Sequence, residues 1–215
     1  MARIYLHPLP VRIWHWINAV TCVLLFFTGI QLRYIGLIDV VSFQTAVITH
    51  NVLGFILIAN FCLWLGFYLC SPRIRAYHAE TNPVRYFIGA VRQTLYYSYG
   101  IFRNMPPPFR PTPYRKFNPL QAMTYQILMI ILMPIQMLTG ILLWNLGGFS
   151  RTVAFFGGVR EINTVHVLIF VLFAFYLPAH IYLGTLGRRP STHYREMLTG
   201  YEEEEETEKE AEVAK

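Results

Sequence analysis

Charge is scarce in this chain: Asp, Glu, Lys and Arg supply 14% of its 215 residues, against 54% for hydrophobic residues. Together with a positive mean hydropathy, that balance excludes a water-soluble domain and predicts an integral membrane protein. Cysteine is scarce as well. Cys22, Cys62 and Cys70 lie within or at the ends of apolar segments and form neither a Cys-x-x-Cys pair nor a Cys-x-x-Cys-His site, which excludes a disulfide framework and a prosthetic group linked through such a site. The sequence also lacks a glycine-rich phosphate loop, a nucleophile with a paired base, and zinc-ligand spacing of Cys and His, so no catalytic constellation of those kinds is expected. No internal repeat is evident. The first apolar run ends at Thr28-Gly29-Ile30 without a small-residue cleavage pattern, and it is expected to stay in the protein as an anchor.

What the chain does have is apolar length. Four uncharged stretches, 13–31, 40–72, 117–150 and 162–187, can each cover a ~30 Å hydrocarbon core as a helix of about 20 residues. Four crossings put both ends of the chain on one side. The segment between the second and third stretches, about 73–116, carries Arg73, Arg75, Arg85, Arg92, Arg103, Arg110, Arg115 and Lys116, and the ends add Arg3, Arg12, Arg188, Arg189 and Arg195. The opposite face has Arg33, Arg151 and Arg160. The positive-inside rule therefore predicts a multi-pass protein with both termini and the long loop in the cytoplasm. Orientation accounts for the net charge of +6, and no nucleic-acid partner is expected.

Within the long loop, Val84, Phe87, Ile88, Val91 and Leu95 recur at helical spacing after Asn82-Pro83, with Arg85 and Arg92 off that stripe, which predicts a helix lying at the membrane interface. Met105-Pro106-Pro107-Pro108 and Pro111-Thr112-Pro113 predict a stiff, extended linker behind it. Met133-Pro134 and Thr139-Gly140 in the third stretch predict a kink, and Pro178 in the fourth frees the Ala174 carbonyl, which neighbouring helices must help to satisfy. After a domain of residues 1–200 comes a tail, 201–215, with glutamate at every position of 202–206 and at Glu208, Glu210 and Glu212. Such a like-charge block is expected to stay solvated and disordered.

Four histidines, His15, His50, His166 and His180, fall inside the apolar stretches, where an ionisable group costs at least a few kcal/mol and needs a functional reason. His166 and His180 stand fourteen residues apart, a spacing that advances a helix by ~1400°, ~40° short of four turns, and by ~21 Å, so both imidazoles leave one face at opposite depths. With the orientation taken from Lys and Arg alone, His15 and His180 share the inner depth, and His50 and His166 share the outer one. Two neutral imidazoles from facing helices fill both axial positions of a haem iron and leave none for oxygen or a substrate. Two such pairs predict two b haems, one in each leaflet, held without a covalent link. Gly29, fourteen residues after His15, and Gly54, one turn after His50, fit the approach of a macrocycle edge or, equally, close helix packing.

Arg12-Ile13-Trp14-His15-Trp16-Ile17-Asn18, Thr49-His50-Asn51-Val52-Leu53-Gly54, Lys116-Phe117-Asn118-Pro119-Leu120-Gln121 and the His166/His180 pair together resemble the dihaem cytochrome b subunit of membrane-bound nickel-iron hydrogenases, respiratory formate dehydrogenases and thiosulfate reductases. The likeness extends to about Gly200. It implies an all-α, four-helix membrane bundle in a bacterial or archaeal cytoplasmic (inner) membrane, with His15 and His180 on the inner haem iron and His50 and His166 on the outer. It implies a quinone, menaquinone or ubiquinone, exchanging electrons at the cytoplasmic side in a pocket that Asn118 and Leu120 line beside His180. Leu120 stands where an Asn-x-Gly-Gln form of the motif has Gly. The implied partners are an outer-side iron-sulfur or multihaem c-type subunit and a catalytic subunit, with membrane lipid and the quinone pool around them. The loop 147–160, rich in Gly and aromatics, is expected to form part of the outer contact.

Plainer readings stand beside these. Trp14, Trp16 and Tyr5 fit an interfacial aromatic belt. Arg12, Arg33 and Arg160 fit either haem propionates or orientation and headgroup contact. Asn118 and Gln121 fit amide binding to a quinone carbonyl, and Asn118 equally fits a helix cap. His7, His78 and His193 lie outside the stretches and read as surface residues. Two other function classes stay open: a stand-alone quinol-linked haem b reductase acting on superoxide or ferric iron, and a haem-free transporter or anchor with the histidines as proton relays.

Overall fold

The computed structural model describes residues 3–72, 82–109, 117–186 and 190–203. Arg73, Arg75, His78, Arg110 to Lys116 with the Pro111-Thr112-Pro113 linker, Arg188, Arg189 and the tail from residue 204 onward lie outside the described residues.

The apolar stretches are helices: α1 (Leu9–Arg33), α2 (Phe43–Leu69), a third span over Pro119–Trp144, and α7 (Val159–Gly184), each long and apolar enough to cross a membrane. A helix is what such a sequence must form in lipid, because no water is there to satisfy a backbone polar group. The outward-facing side chains agree with that solvent. Phe27, Leu63 and Phe175 are 69%, 72% and 76% exposed, a surface suited to acyl chains and costly in water. Among the described residues no large side chain is completely enclosed.

Helix starts are written locally. Proline occupies the first turn of α1, where a missing N–H removes nothing and φ is already helical. α3 (Pro83–Ser98) and α4 (Pro119–Gln126) both begin on Asn-Pro: the Asn82 side chain accepts from the Arg85 amide at 3.0 Å, and that of Asn118 from the Gln121 amide at 2.8 Å, each satisfying an orphan donor. α3 is the helix the sequence predicts within the long loop. Its stripe of Val84, Phe87, Ile88, Val91 and Leu95 is exposed, while Ala90 and Gln93 on the other side are buried. At Gly89 a Cβ would lie 2.9 Å from the Pro119 ring, so a residue without a side chain is what lets α3 lie against the start of α4.

The third span is α4, a π-helical segment Ile127–Leu132, and α5 (Met133–Trp144). The Met133 amide bonds to the Leu128 carbonyl, five residues back. Pro134 explains this, since it has no N–H and its ring collides with the carbonyl of Ile130, so the helix relieves the clash by widening. The expected kink is therefore realised as a π segment. α7 runs through Pro178 without a break.

The chain divides into two compact units, Met1–Trp64 with Val167–Lys215, and Leu65–His166. In the first unit the two ends of the described chain meet. β1 (Arg3–Tyr5) pairs antiparallel with β2 (Tyr201–Glu203), and the Leu6 and His7 amides both donate to the Gly200 carbonyl, at 3.0 and 3.1 Å. The Arg12 guanidinium donates to Leu198 O, and Trp16 Nε1 to Met197 O at 3.2 Å, both carbonyls in α8 (Thr192–Thr199). Gly200 turns the chain from α8 into β2 at φ +90°, and a Cβ there would lie 2.7 Å from the His7 carbonyl oxygen. Residues 201–203, expected as the start of a disordered tail, are thus a strand, because β1 supplies their backbone partners. In the second unit, α6 (Ser150–Phe155) and the turn at Gly157 and Gly158, both at positive φ, occupy the loop 147–160.

Candidate haem-binding site

His15 on α1 and His180 on α7 are brought together: their ring centroids are 6.2 Å apart and their planes are inclined at 52°. Two metal–imidazole bonds of about 2 Å each, plus two half-rings, add up to nearly that separation. His15 Nδ1 is buried with no hydrogen-bond partner among the described residues. His180 Nδ1 lies 3.3 Å from the Tyr176 hydroxyl one turn earlier, whose ring stacks on the imidazole at 5.3 Å and 22°. Beside His15, buried Asn60 on α2 donates to the Trp14 carbonyl at 3.0 Å, which ties α2 to the turn of α1 that carries the histidine.

His50 on α2 is held differently. Its Nδ1 lies 2.9 Å from Thr28 Oγ1 on α1, and that hydroxyl lies 3.0 Å from the Leu24 carbonyl and 3.2 Å from that of Leu25. A Cβ on Gly29 would stand 3.5 Å from His50 Cε1, an ordinary contact distance, so Gly29 borders the imidazole itself. Gly54 has nothing within 4 Å of its missing Cβ, which leaves the space beside it open. In the other unit, His166 Nδ1 lies 2.9 Å from Thr139 Oγ1, its Nε2 lies 3.2 Å from Gln136 Nε2, and a Cβ on Gly140 would stand 3.4 Å from its Cε1. The sequence reading missed Thr28, Thr139, Gln136, Gly140 and Tyr176 as neighbours of the histidines. One signal was present: within the four spans the dipeptide Thr-Gly occurs twice, as Thr28-Gly29 and Thr139-Gly140.

Asn118 and Gln121 meet in a capping box. Asn118 Oδ1 accepts from the Gln121 amide at 2.8 Å, Gln121 Oε1 accepts from the Asn118 amide at 3.1 Å, and Asn118 Nδ2 donates to the Tyr97 hydroxyl at 3.2 Å. Burial pushes the Tyr97 hydroxyl above the ordinary phenol range, against the opposing hydrogen bonds of Gln93 and Asn118. The buried Asn118 amide is thus engaged on both of its polar atoms, Leu120 beside it is half-buried, and Gln121 is exposed. Asn118→Ala is expected to lower stability by about 1 kcal/mol or more, the loss of a cap, and Asn118→Ser to recover most of it, as read by thermal unfolding in detergent. Arg12, a candidate for a haem propionate, reaches the Leu198 carbonyl, and its Nε is buried with no partner among the described residues.

Among the described residues no three His, Cys, Asp or Glu converge on one point. Paired imidazoles without further ligands suit an iron whose four equatorial positions a porphyrin already fills, so the donor set fits haem b. A nearly all-helical protein with four helices long and apolar enough to cross a membrane, and with His15 and His180 facing each other on two of them, has the features of a membrane cytochrome b. Residues 6–200 match the family described as prokaryotic cytochrome b561, and the chain belongs to that family, whose members are helical bundles that bind b haem and carry electrons in the membrane. A relative from Escherichia coli (strain K12), named "Putative cytochrome YdhU", is 33% identical over 202 residues, covering 93% of this chain and 74% of the relative. No solved structure matches the chain at a significant level.

Proposed function

We propose that the chain is the membrane-anchor subunit of a respiratory complex, linking an electron-carrying partner at the outer face to membrane quinone at the cytoplasmic face through two b haems. The observation that carries this reading is the approach of His15 and His180 to 6.2 Å from two helices, together with a second set of spanning histidines, His50 and His166, at the opposite depth in the sequence-derived topology. When bound, haem supplies an iron that gains and loses single electrons between two axial imidazoles. The residues around it orient those imidazoles and keep water away: Tyr176 stacks on His180, and Trp16 meets His15 edge-on at 5.3 Å. With the positive-inside orientation, His15 and His180 face the cytoplasmic half, where Asn118, Leu120, Gln121 and His180 are the proposed quinone-side residues. Both amides belong to the capping box, but Asn118 Nδ2 is taken by Tyr97 while only the oxygen of Gln121 is engaged, so the Gln121 amide nitrogen is the group suited to a quinone carbonyl there.

Separating donor and quinone across the bilayer would couple redox chemistry to charge separation, at ~2.3 kcal/mol per electron per 100 mV. A pyridine haemochrome titration of purified protein is expected to give two b haems per chain. One haem, or none, would end the proposal, and turnover of the isolated chain with superoxide or ferric iron would favour a stand-alone reductase. The outer partner is assigned to the 147–160 loop, where Phe155 and Phe156 are 82% and 57% exposed. Replacing that loop by a Gly/Ser linker of equal length should abolish co-purification of the partner while leaving the haem count unchanged; undiminished co-purification would exclude the loop.

A further inference from the structure

We propose that Thr28-Gly29 and Thr139-Gly140 are two copies of one seat, in which the threonine hydroxyl fixes the tautomer of the facing histidine and the glycine keeps a branched side chain away from the imidazole. Thr28 and Thr139 are then positioning residues for the outer haem. This rests on the reading of His50 and His166 as the outer-haem ligands.

A threonine hydroxyl has one proton. Thr28 Oγ1 has carbonyls at 3.0 and 3.2 Å, and Thr139 Oγ1 has the Ile135 and Gln136 carbonyls at 2.8 and 3.0 Å. Each hydroxyl can therefore give its proton to a carbonyl of its own helix and accept from the imidazole nitrogen 2.9 Å away. An imidazole that binds iron through Nε2 carries its proton on Nδ1, where the threonine oxygen would receive it. At His166, Gln136 Nε2 lies 3.2 Å from the ring Nε2, and a bound iron would take the place of that contact.

Glycine completes the seat. Cε1 is the carbon between the two ring nitrogens, and at both sites a Cβ on the glycine would stand 3.4 to 3.5 Å from it, room for a methyl group but not for a branched side chain where the preceding hydroxyl reaches Nδ1. The inner histidines lack this arrangement: His15 Nδ1 has no partner among the described residues, and His180 faces a tyrosine at 3.3 Å. The inner haem is therefore the internal control.

An Nδ1–H donated to an oxygen makes the imidazole a stronger base toward the metal, which favours ferric over ferrous iron. Thr28→Val and Thr139→Val remove the hydroxyl at nearly constant volume. Both are expected to raise the midpoint potential of the outer haem in a redox titration, to alter its low-spin EPR g values, and to weaken its retention about 10-fold or more; Thr→Ser at each site should restore all three. The inner haem should keep its wild-type potential and spectrum. His50→Ala and His166→Ala are run alongside. If these keep two haems, the ligand assignment fails and the seat with it. If they lose one haem while the valine variants match wild type, or shift both haems equally, the seat alone is overturned.

Discussion

Alanine at His15 and alanine at His180 should yield the same product, a protein that keeps one b haem and has lost the other. Their rings lie 6.2 Å apart on two helices, so removal of either leaves one imidazole where six-coordinate iron needs two. The double variant should lose no more haem than either single, because two residues that act on one ligand are not additive. His50→Ala and His166→Ala should give the complementary protein, and His15→Ala combined with His50→Ala should bind none. Haem content by pyridine haemochrome, with redox titration to identify which haem remains, reads all six outcomes. If His15→Ala and His50→Ala removed the same haem, the depths assigned from the arginine distribution would be wrong.

The four spans were legible because nothing but a helix suits a long uncharged run in lipid, and observed limits such as Leu9–Arg33 and Phe43–Leu69 differ from the uncharged stretches by a few residues at each end. α3 was legible for another reason: its apolar stripe has a 3.6-residue period, and Asn82-Pro83 marks its start. What sequence could not supply was the choice between two uses of one side chain. Asn118 fits a quinone amide and a helix cap equally as a letter in a string; the cap is realised because Gln121 stands three residues on and closes the box. Arg12 likewise offers a cation to whatever is near. A carbonyl 186 positions away in the chain takes it, and no local pattern announces a partner at that distance. The strand at 201–203 was hidden in the same way, since a glutamate-rich segment has no β propensity of its own and pairs because β1 lies beside it.

The neighbours of the histidines were the least legible part of the site. Thr139-Gly140 reads as a helix irregularity, whereas the irregularity lies earlier, at Ile127–Leu132, and belongs to Pro134. A threonine bonded to its own helix four residues back is common and locally satisfied. Its second bond, to a histidine on another helix, depends on helix rotation, which a single sequence does not specify.

Valine at Gly29 or Gly140 is expected to cost the outer haem outright. A Cβ at 3.4 or 3.5 Å from the imidazole Cε1 is an ordinary contact, so alanine should be accepted and two haems retained. Valine adds two γ-methyl groups to that Cβ, and in a helix its χ1 is confined to essentially one rotamer, so it cannot turn both away from the ring. The imidazole must rotate or retreat, which breaks the 2.9 Å contact of Nδ1 with Thr28 or Thr139 and swings Nε2 off the iron axis. Haem content should therefore fall from two to one in either valine variant, with the His15/His180 haem intact as the sign that the protein still folds. Valine at Gly54, where no atom lies within 4 Å of the missing Cβ, separates the two uses of glycine: haem loss there would mean that a macrocycle fills the open space, and retention that the space is lipid-facing or a packing gap.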